Sequence, residues 1–451
     1  MKKLPIGRSD FKCLRQENYI FIDKSLFIKE IIEEDAQIVL LPRPRRFGKT
    51  LNLTMLKLFF EKTDNKEETR QLFSGLKIEK KEVFQEHICR YPVIYLTFKN
   101  IKSSSFEENL ESVKRLIADE YRRHAYLLKS NYLNDFEKED FKNIAEIKDD
   151  ISLFKTSLLY LSHYLHIHHK EKPIILIDEY DTPIHEAYLG EYYEKTISFF
   201  RSFLGAGLKD NPNIYKGVLT GILRVAKESI FSDMNNLEVY SIMREEYDSY
   251  FGFTEQEVES FAKIYDMPDH FKEIKKWYDG YIFGKRRIYN PLSILSFAAS
   301  KDKQFRPYWA NTASNSLIKE TLSKAPDAIK SELYDLLKDI PLVKRIEENI
   351  SFDNLKTNET AVYRFLLFSG YLKAYDCHKK ERYDYCTIMI PNEEVKKIFE
   401  DVIIDWISEA YTASDKLRIM LDALIKGDIR IFEEILNDFV ITTMSYFNTR
   451  S

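Results

Sequence analysis

Ile38-Val39-Leu40-Leu41-Pro42-Arg43-Pro44-Arg45-Arg46-Phe47-Gly48-Lys49-Thr50 is the stretch on which the reading of the fold turns. It opens as a short apolar run suited to a buried strand, continues as a tight basic loop, and ends where Gly48-Lys49-Thr50 starts a helix near Leu51. This is the layout of a phosphate-binding P-loop, in which backbone N–H groups and a helix N-terminus face the phosphates. In that layout Lys49 reaches the outer phosphates and the Thr50 hydroxyl holds Mg²⁺, with Arg45, Arg46, Phe47, Gly48 and Leu51 completing the nucleotide contacts. The general pattern G-x-x-x-x-G-K-[ST] has glycine where this chain has Arg43. Taken alone, the loop therefore leaves nucleotide binding and plain helix capping as rival readings.

Downstream, Pro173-Ile174-Ile175-Leu176-Ile177-Asp178-Glu179-Tyr180-Asp181 is an apolar, β-branched run closed by carboxylates. A run so short, bounded by proline and acid, reads as a central parallel strand. At the carboxyl end of such a strand Asp178 can stand beside the P-loop and support the metal, while Glu179 orients and deprotonates the attacking water. Phosphoryl transfer to water asks little covalent chemistry of a protein; it needs neutralised charge and an aligned nucleophile. Each half has an ordinary explanation, a capped helix or a solvated strand end. Both together, each after a buried strand and in this order, favour ATP and Mg²⁺ as ligands.

These residues and several others resemble the bacterial and archaeal AAA-ATPase-like proteins of the P-loop superfamily, whose loop carries Arg-Pro-Arg-Arg-Phe-Gly-Lys-Thr in this form, Arg43 included. Similar too are Leu4-Pro5-Ile6-Gly7, Asp10-Phe11 and Tyr19 to Ser25 near the start, and Leu219 to Arg224, Ser232 to Asn236 and Tyr250 to Thr254 further on. Trp277-Tyr278-Asp279-Gly280-Tyr281, Tyr289-Asn290-Pro291, Tyr308 to Thr312, Gly370-Tyr371-Leu372 and Pro391 to Glu394 extend the likeness over nearly the whole chain. The inserted strand Tyr91 to Phe98 between the P-loop and Asp178-Glu179 resembles the branch of P-loop ATPases that hydrolyses with an added glutamate. Many family members continue into a nuclease domain of the PD-(D/E)XK class, and Leu421 to Phe447 resembles its beginning. No paired Asp and Glu-x-Lys follow it, so the resemblance implies an ATPase and no nuclease site on this chain.

A chain of 451 residues can hold two or three domains, and its formal charge of −4 speaks against a general nucleic-acid coat. With 13 Gly and 13 Pro, long flexible linkers are not expected. Cys13, Cys89, Cys377 and Cys386 are scattered, and no apolar run approaches a membrane span, so the expectation is a cytoplasmic protein without disulfides or membrane contact. His163, His166, His168 and His169 match no zinc spacing and read as boundary histidines.

The expected fold class is α/β: a P-loop NTPase-like parallel sheet with helices on both faces, then a mostly helical lid and a winged-helix-like module. The expected domains are a P-loop ATPase core over 1–247, a helical lid over 248–345, and the module with a helical C-terminal segment over 346–451. A lead-in strand and an amphipathic helix precede the P-loop, where Tyr19 and Phe21 either stack on the nucleotide base or pack in the core. Thr220, ending the strand Ile214 to Gly221, is placed to touch the γ-phosphate or the water, and Arg224 to stabilise phosphate charge or to form a structural ion pair. The leading function is ATP binding with Mg²⁺-dependent hydrolysis driving a conformational change. The alternative is a nucleotide-gated regulatory or binding module with little or no hydrolysis, or the ATPase part of a DNA-processing or defence system with a protein or DNA partner.

Overall fold

The computed structural model describes residues 1–148, 150–224, 230–231, 234–309, 321–322, 327–348, 359–412, 419–420, 423–424 and 426–445. Of the residues quoted above, Ser232, Ala310, Asn311, Thr312, Leu421, Tyr446 and Phe447 lie outside this set.

The apolar runs become five parallel strands: β1 (Ile38–Pro42), β2 (Val93–Thr97), β3 (Ile174–Asp178), β4 (Lys216–Gly221) and β5 (Leu237–Val239). Their order in the sheet is β2-β3-β4-β1-β5, so β4 is inserted between the P-loop strand and the acid-pair strand. β1, β3 and β4 are buried along their whole length, which is why β1 and β3 carry near-continuous apolar runs and not an alternating pattern. Helices Lys49–Phe60 and Phe106–Arg123 pack on β3 and β2. Beyond them lies a helical layer of Asp135–Ala145, Ile151–His169 and Tyr193–Leu208. The register pairs Leu41 with Thr220 and Ile177 with Leu219, so the carboxyl ends of β1, β4 and β3 finish at one edge. That edge carries the P-loop, Thr220 and the acid pair. The expected α/β P-loop architecture is the one observed.

Ahead of the sheet, helices Phe11–Gln16 and Leu26–Glu33 replace the expected strand and single helix, with one bridge between Lys3 and Tyr19. The region after the sheet is mostly helical but also holds a small antiparallel sheet, β6 (Phe253–Thr254), β7 (Tyr281–Phe283) and β8 (Arg286–Tyr289), ordered β6-β8-β7. Strands of two to four residues are too short to reveal a period in sequence. Next come β9 (Leu342–Ile346), helix Glu359–Phe368, the hairpin β10 (Lys373–Lys380) and β11 (Tyr383–Met389), and helix Glu393–Thr412. These strands form a second antiparallel sheet in the order β10-β11-β9; the helix, hairpin and helix match the order expected from sequence, and β9 is an added strand that the sequence reading lacks. Helix Ile429–Ser445 follows. Among the described residues no helix is long and apolar enough to cross a membrane.

The expectation of four unpaired cysteines is corrected here. Hairpin register places His378 against Tyr385, which sets Cys377 opposite Cys386, and the two sulfurs are bonded at 2.08 Å. Cys13 and Cys89 remain free thiols. Sequence spacing alone could not reveal the pair, because a bulge between Tyr375 and His378 shifts the register by one residue.

The lid and the last module meet at a buried carboxylate. Glu394, at the start of helix Glu393–Thr412, accepts hydrogen bonds from the Ser293 hydroxyl and the Trp309 amide, each at 2.7 Å. Burial pushes its carboxyl from 4.5 up to about 7 against the pull of those two donors. The folded state thus holds this proton more tightly than the unfolded chain. Its contribution to stability is complete below pH 4.5 and is lost as pH rises through about 7. Glu394→Gln is expected to remove that fall, worth about 3 kcal/mol, which urea denaturation at about pH 5 and about pH 8 would measure.

Candidate functional site

Gly48 precedes helix Lys49–Phe60 with φ of 88°, a left-handed conformation that glycine adopts freely and that turns the loop into the helix. Lys49 is buried, and its ammonium donates to the carbonyls of Arg43 and Pro44, both at 3.0 Å. The loop thus curls around the amine. Burial lowers the Lys49 amine from its ordinary value, while Glu179, Asp181 and Asp178 hold it up.

Asp178 is the hub. One carboxylate oxygen accepts from the Thr50 hydroxyl at 2.7 Å and from Thr97 at 3.4 Å; the other accepts from Thr220 at 2.8 Å. Burial raises its carboxyl, and neighbouring Glu179 adds to the rise. Glu179 follows at φ of 51°, a left-handed conformation costing about 1 kcal/mol or more for a non-glycine residue. Tyr180 locks that turn: its amide donates to Thr220 carbonyl at 3.1 Å, and its hydroxyl to Leu223 carbonyl at 2.8 Å. Glu179 is half-buried, with its carboxylate 3.5 Å from the Thr182 hydroxyl.

The other candidates divide. Thr220 is fully buried against Asp178, so its hydroxyl positions the carboxylate. Arg224 is half-buried beyond Leu223, and the described contacts do not join it to Lys49, Thr50, Asp178 or Glu179. Arg45 is half-buried and Arg46 exposed at φ of 68°. Phe47 is buried, with its ring 4.9 Å from that of Tyr281 and 5.2 Å from that of Phe283, and its carbonyl accepts the Gly252 amide at 2.9 Å. Its side chain is thereby given to the lid, leaving only its N–H for a ligand.

Arg43, at the position of the general pattern's first glycine, is spent inside the protein. Its guanidinium donates to the carbonyls of Pro42 at 2.8 Å and Tyr240 at 2.6 Å, and lies 5.0 Å from the Phe251 ring and 5.4 Å from the Phe283 ring. Burial pulls it down to about 9, with Asp248 opposing. Four histidines that invite a metal each take a separate partner: His163 meets Glu137, His166 Asn213, His168 Ser130 and His169 Tyr126.

Sequence reasoning missed two features. A cleft beside the P-loop is walled by Arg8 and Phe21 from the lead-in, Thr50 and Leu51 from the loop, and Tyr250 and Leu292 from the lid. Tyr19, by contrast, lies under Lys3 and Arg8. No local signal joins positions so far apart in the chain. The second is Asp181, fully buried, whose carboxylate accepts the Ile222 and Leu223 amides at 2.8 and 2.9 Å and lies 3.3 Å from His185. Its place before Thr182-Pro183, a helix start, is the clue the sequence held.

Thr50 and Asp178 are hard oxygen donors 2.7 Å apart, and Mg²⁺ takes one or two such protein groups together with phosphate oxygens. A buried carboxylate raised by desolvation is what a cation would relieve, so these residues fit the metal.

Over 442 residues the chain is 25% identical to a protein of Azotobacter chroococcum mcd 1 described as "Uncharacterized protein in vnfD 5'region", covering 97% of this chain and 77% of that one. The solved structure of the Aeropyrum pernix ORC2 protein in ADPNP-ADP complexes aligns over 89% of this chain and 96% of that chain, with 10% identity and a TM-score of 0.27, too loose a likeness to argue from. A family model described as "Predicted AAA-ATPase" matches residues 5–231, spanning the lead-in, the P-loop, the acid pair and Thr220 to Arg224, and the chain belongs to this AAA-ATPase-like family.

Proposed function

We propose that the chain binds ATP with Mg²⁺ and hydrolyses it, using the strand ends at one sheet edge. The observation that carries the reading is the Asp178 carboxylate, held between Thr50 of the P-loop helix and Thr220 of β4, with Glu179 next in the chain. Lys49 would leave its loop carbonyls for the outer phosphate oxygens, exchanging neutral acceptors for charged ones. Thr50 and Asp178 would hold Mg²⁺, which when bound neutralises phosphate charge. Glu179 would take a proton from the attacking water, and Thr220 would keep Asp178 aimed. Arg224 is assigned a supporting role toward phosphate charge, and Arg45, Arg46, Phe47, Gly48 and Leu51 a place around the nucleotide through loop and helix amides. The cleft between lead-in and lid would receive the base, against Phe21.

Contacts that bind the P-loop to the lid favour coupling of hydrolysis to movement. The expected boundary at 247–248 is crossed by Asn52 donating to Tyr250 carbonyl at 2.9 Å and by Lys24 bound to Glu257 at 2.6 Å. The core over 1–247, the lid over 248–345 and the module over 346–451 would thus act as linked bodies, β9 at the lid's end completing the module's sheet. On this reading the protein would work in the cytoplasm, where ATP is held.

Steady-state phosphate release from purified protein tests the reading. Release is expected with ATP and Mg²⁺, to fall to background with a chelator, and to return with excess Mg²⁺. ATP binding without release would support the nucleotide-gated alternative instead. Adding DNA to the same assay tests the DNA-processing alternative.

A further inference from the structure

A second cavity, of about 390 Å³, opens where the lid meets the last module. It is lined by Lys272, Lys275 and Lys276 of helix Phe271–Tyr278, Arg287 of β8 and Lys373 of β10, with Asp279 among them. Lys275 is bound to Glu255, and Arg287 stands 3.5 Å from Asp279. Five cations and one carboxylate therefore line the cavity, and with Glu255 counted against Lys275 the formal excess is three positive charges. Among the described residues the amines of Lys272, Lys276 and Lys373 make no hydrogen bond or ion pair. Burial lowers the Lys373 amine, and Asp279 and Asp339 offset part of that loss without pairing with it directly.

Asp279 adds a second demand. It is 4% exposed: one carboxylate oxygen is sealed in without a hydrogen-bond partner among the described residues, and the other stands 3.5 Å from Arg287. A carboxylate so weakly paired has room for a further donor at the oxygen beside Arg287. A ligand that suits both demands carries a phosphate for the amines and a hydroxyl for Asp279. The cavity has the volume of a small-molecule site, about 300–1,000 Å³, and not of a groove that tracks a strand.

We propose that this cavity binds a small hydroxylated phosphate ester, a ligand of the sugar-phosphate class. The site adjoins the P-loop through one strand: β7 lines the cavity with Ile282 and packs Tyr281 and Phe283 on Phe47. A ligand there would sit one strand's thickness from the loop.

Calorimetry on the Lys49→Ala protein, whose P-loop amine is gone, tests the proposal separately from the ATPase reading. Ribose 5-phosphate is expected to bind at one site, and the Lys276→Ala/Lys373→Ala pair to weaken it about tenfold or more. The control Lys301→Ala, on an exposed lysine outside the cavity, is expected to leave binding unchanged. Thermal melting shows whether each variant is folded, and single changes at Lys276 and Lys373 replace the pair if the pair is not. The proposal is overturned if ribose 5-phosphate does not bind, if the lysine changes leave its affinity intact, or if single-stranded DNA binds the cavity lysines and ribose 5-phosphate does not.

Discussion

Glu179→Gln is expected to lower the rate of ATP hydrolysis by about 10²–10⁴-fold, the range over which a positioned base contributes, with ATP affinity nearly unchanged. The substitution keeps size and hydrogen bonding but removes the proton acceptor. It also leaves Asp178, Thr50 and Thr220 untouched, so the metal-supporting carboxylate keeps its bonds. The turn that presents residue 179 is held by Tyr180 and not by the glutamate's own side chain, so the variant should fold as the parent does. Phosphate release and calorimetry on the same preparation separate turnover from binding. Hydrolysis at the parental rate would remove Glu179 from the mechanism.

Lys49→Ala is expected to act a step earlier, on binding. A lysine–phosphate contact is a charge-assisted bond of about 1.5–3 kcal/mol, which predicts about a 10- to 100-fold loss of ATP affinity. In the free protein the amine also satisfies the Arg43 and Pro44 carbonyls, so the variant's loop is expected to loosen. A thermal melt distinguishes these effects. The parent should gain stability with added ATP and Mg²⁺, and the variant should gain clearly less at the same concentrations. An equal gain in both would show that the nucleotide binds elsewhere.

The part of the fold legible in sequence was the part buried on both sides. β1 and β3 are apolar up to their ends, β4 buries Lys216 and Thr220 around an apolar centre, and each strand ends in residues of recognisable chemistry. Lys49, Thr50, Asp178 and Thr220 could be placed together because parallel strands deliver their carboxyl ends to one edge. The lid's small sheet was not legible, since β6 to β8 are too short for periodicity. Nor was the disulfide, which needs a register that local sequence does not contain. Phe47 shows a subtler limit. The P-loop pattern says that the residue before Gly48 lies in the loop, but only tertiary packing gives its ring to Tyr281 and Phe283.

Arg43 has a consequence for how such a loop can change over time. In the general pattern a glycine there lets the backbone bend without help. Here a guanidinium that donates to the Tyr240 carbonyl and rests on the Phe251 and Phe283 rings ties the start of the loop to the segments behind it. Swapping the glycine back would empty the space beside two aromatic rings and strand a carbonyl that had a donor. Positions 43, 251 and 283 therefore form an epistatic set, position 240 lending only its main-chain carbonyl. Drift at any one of the three is constrained by the other two.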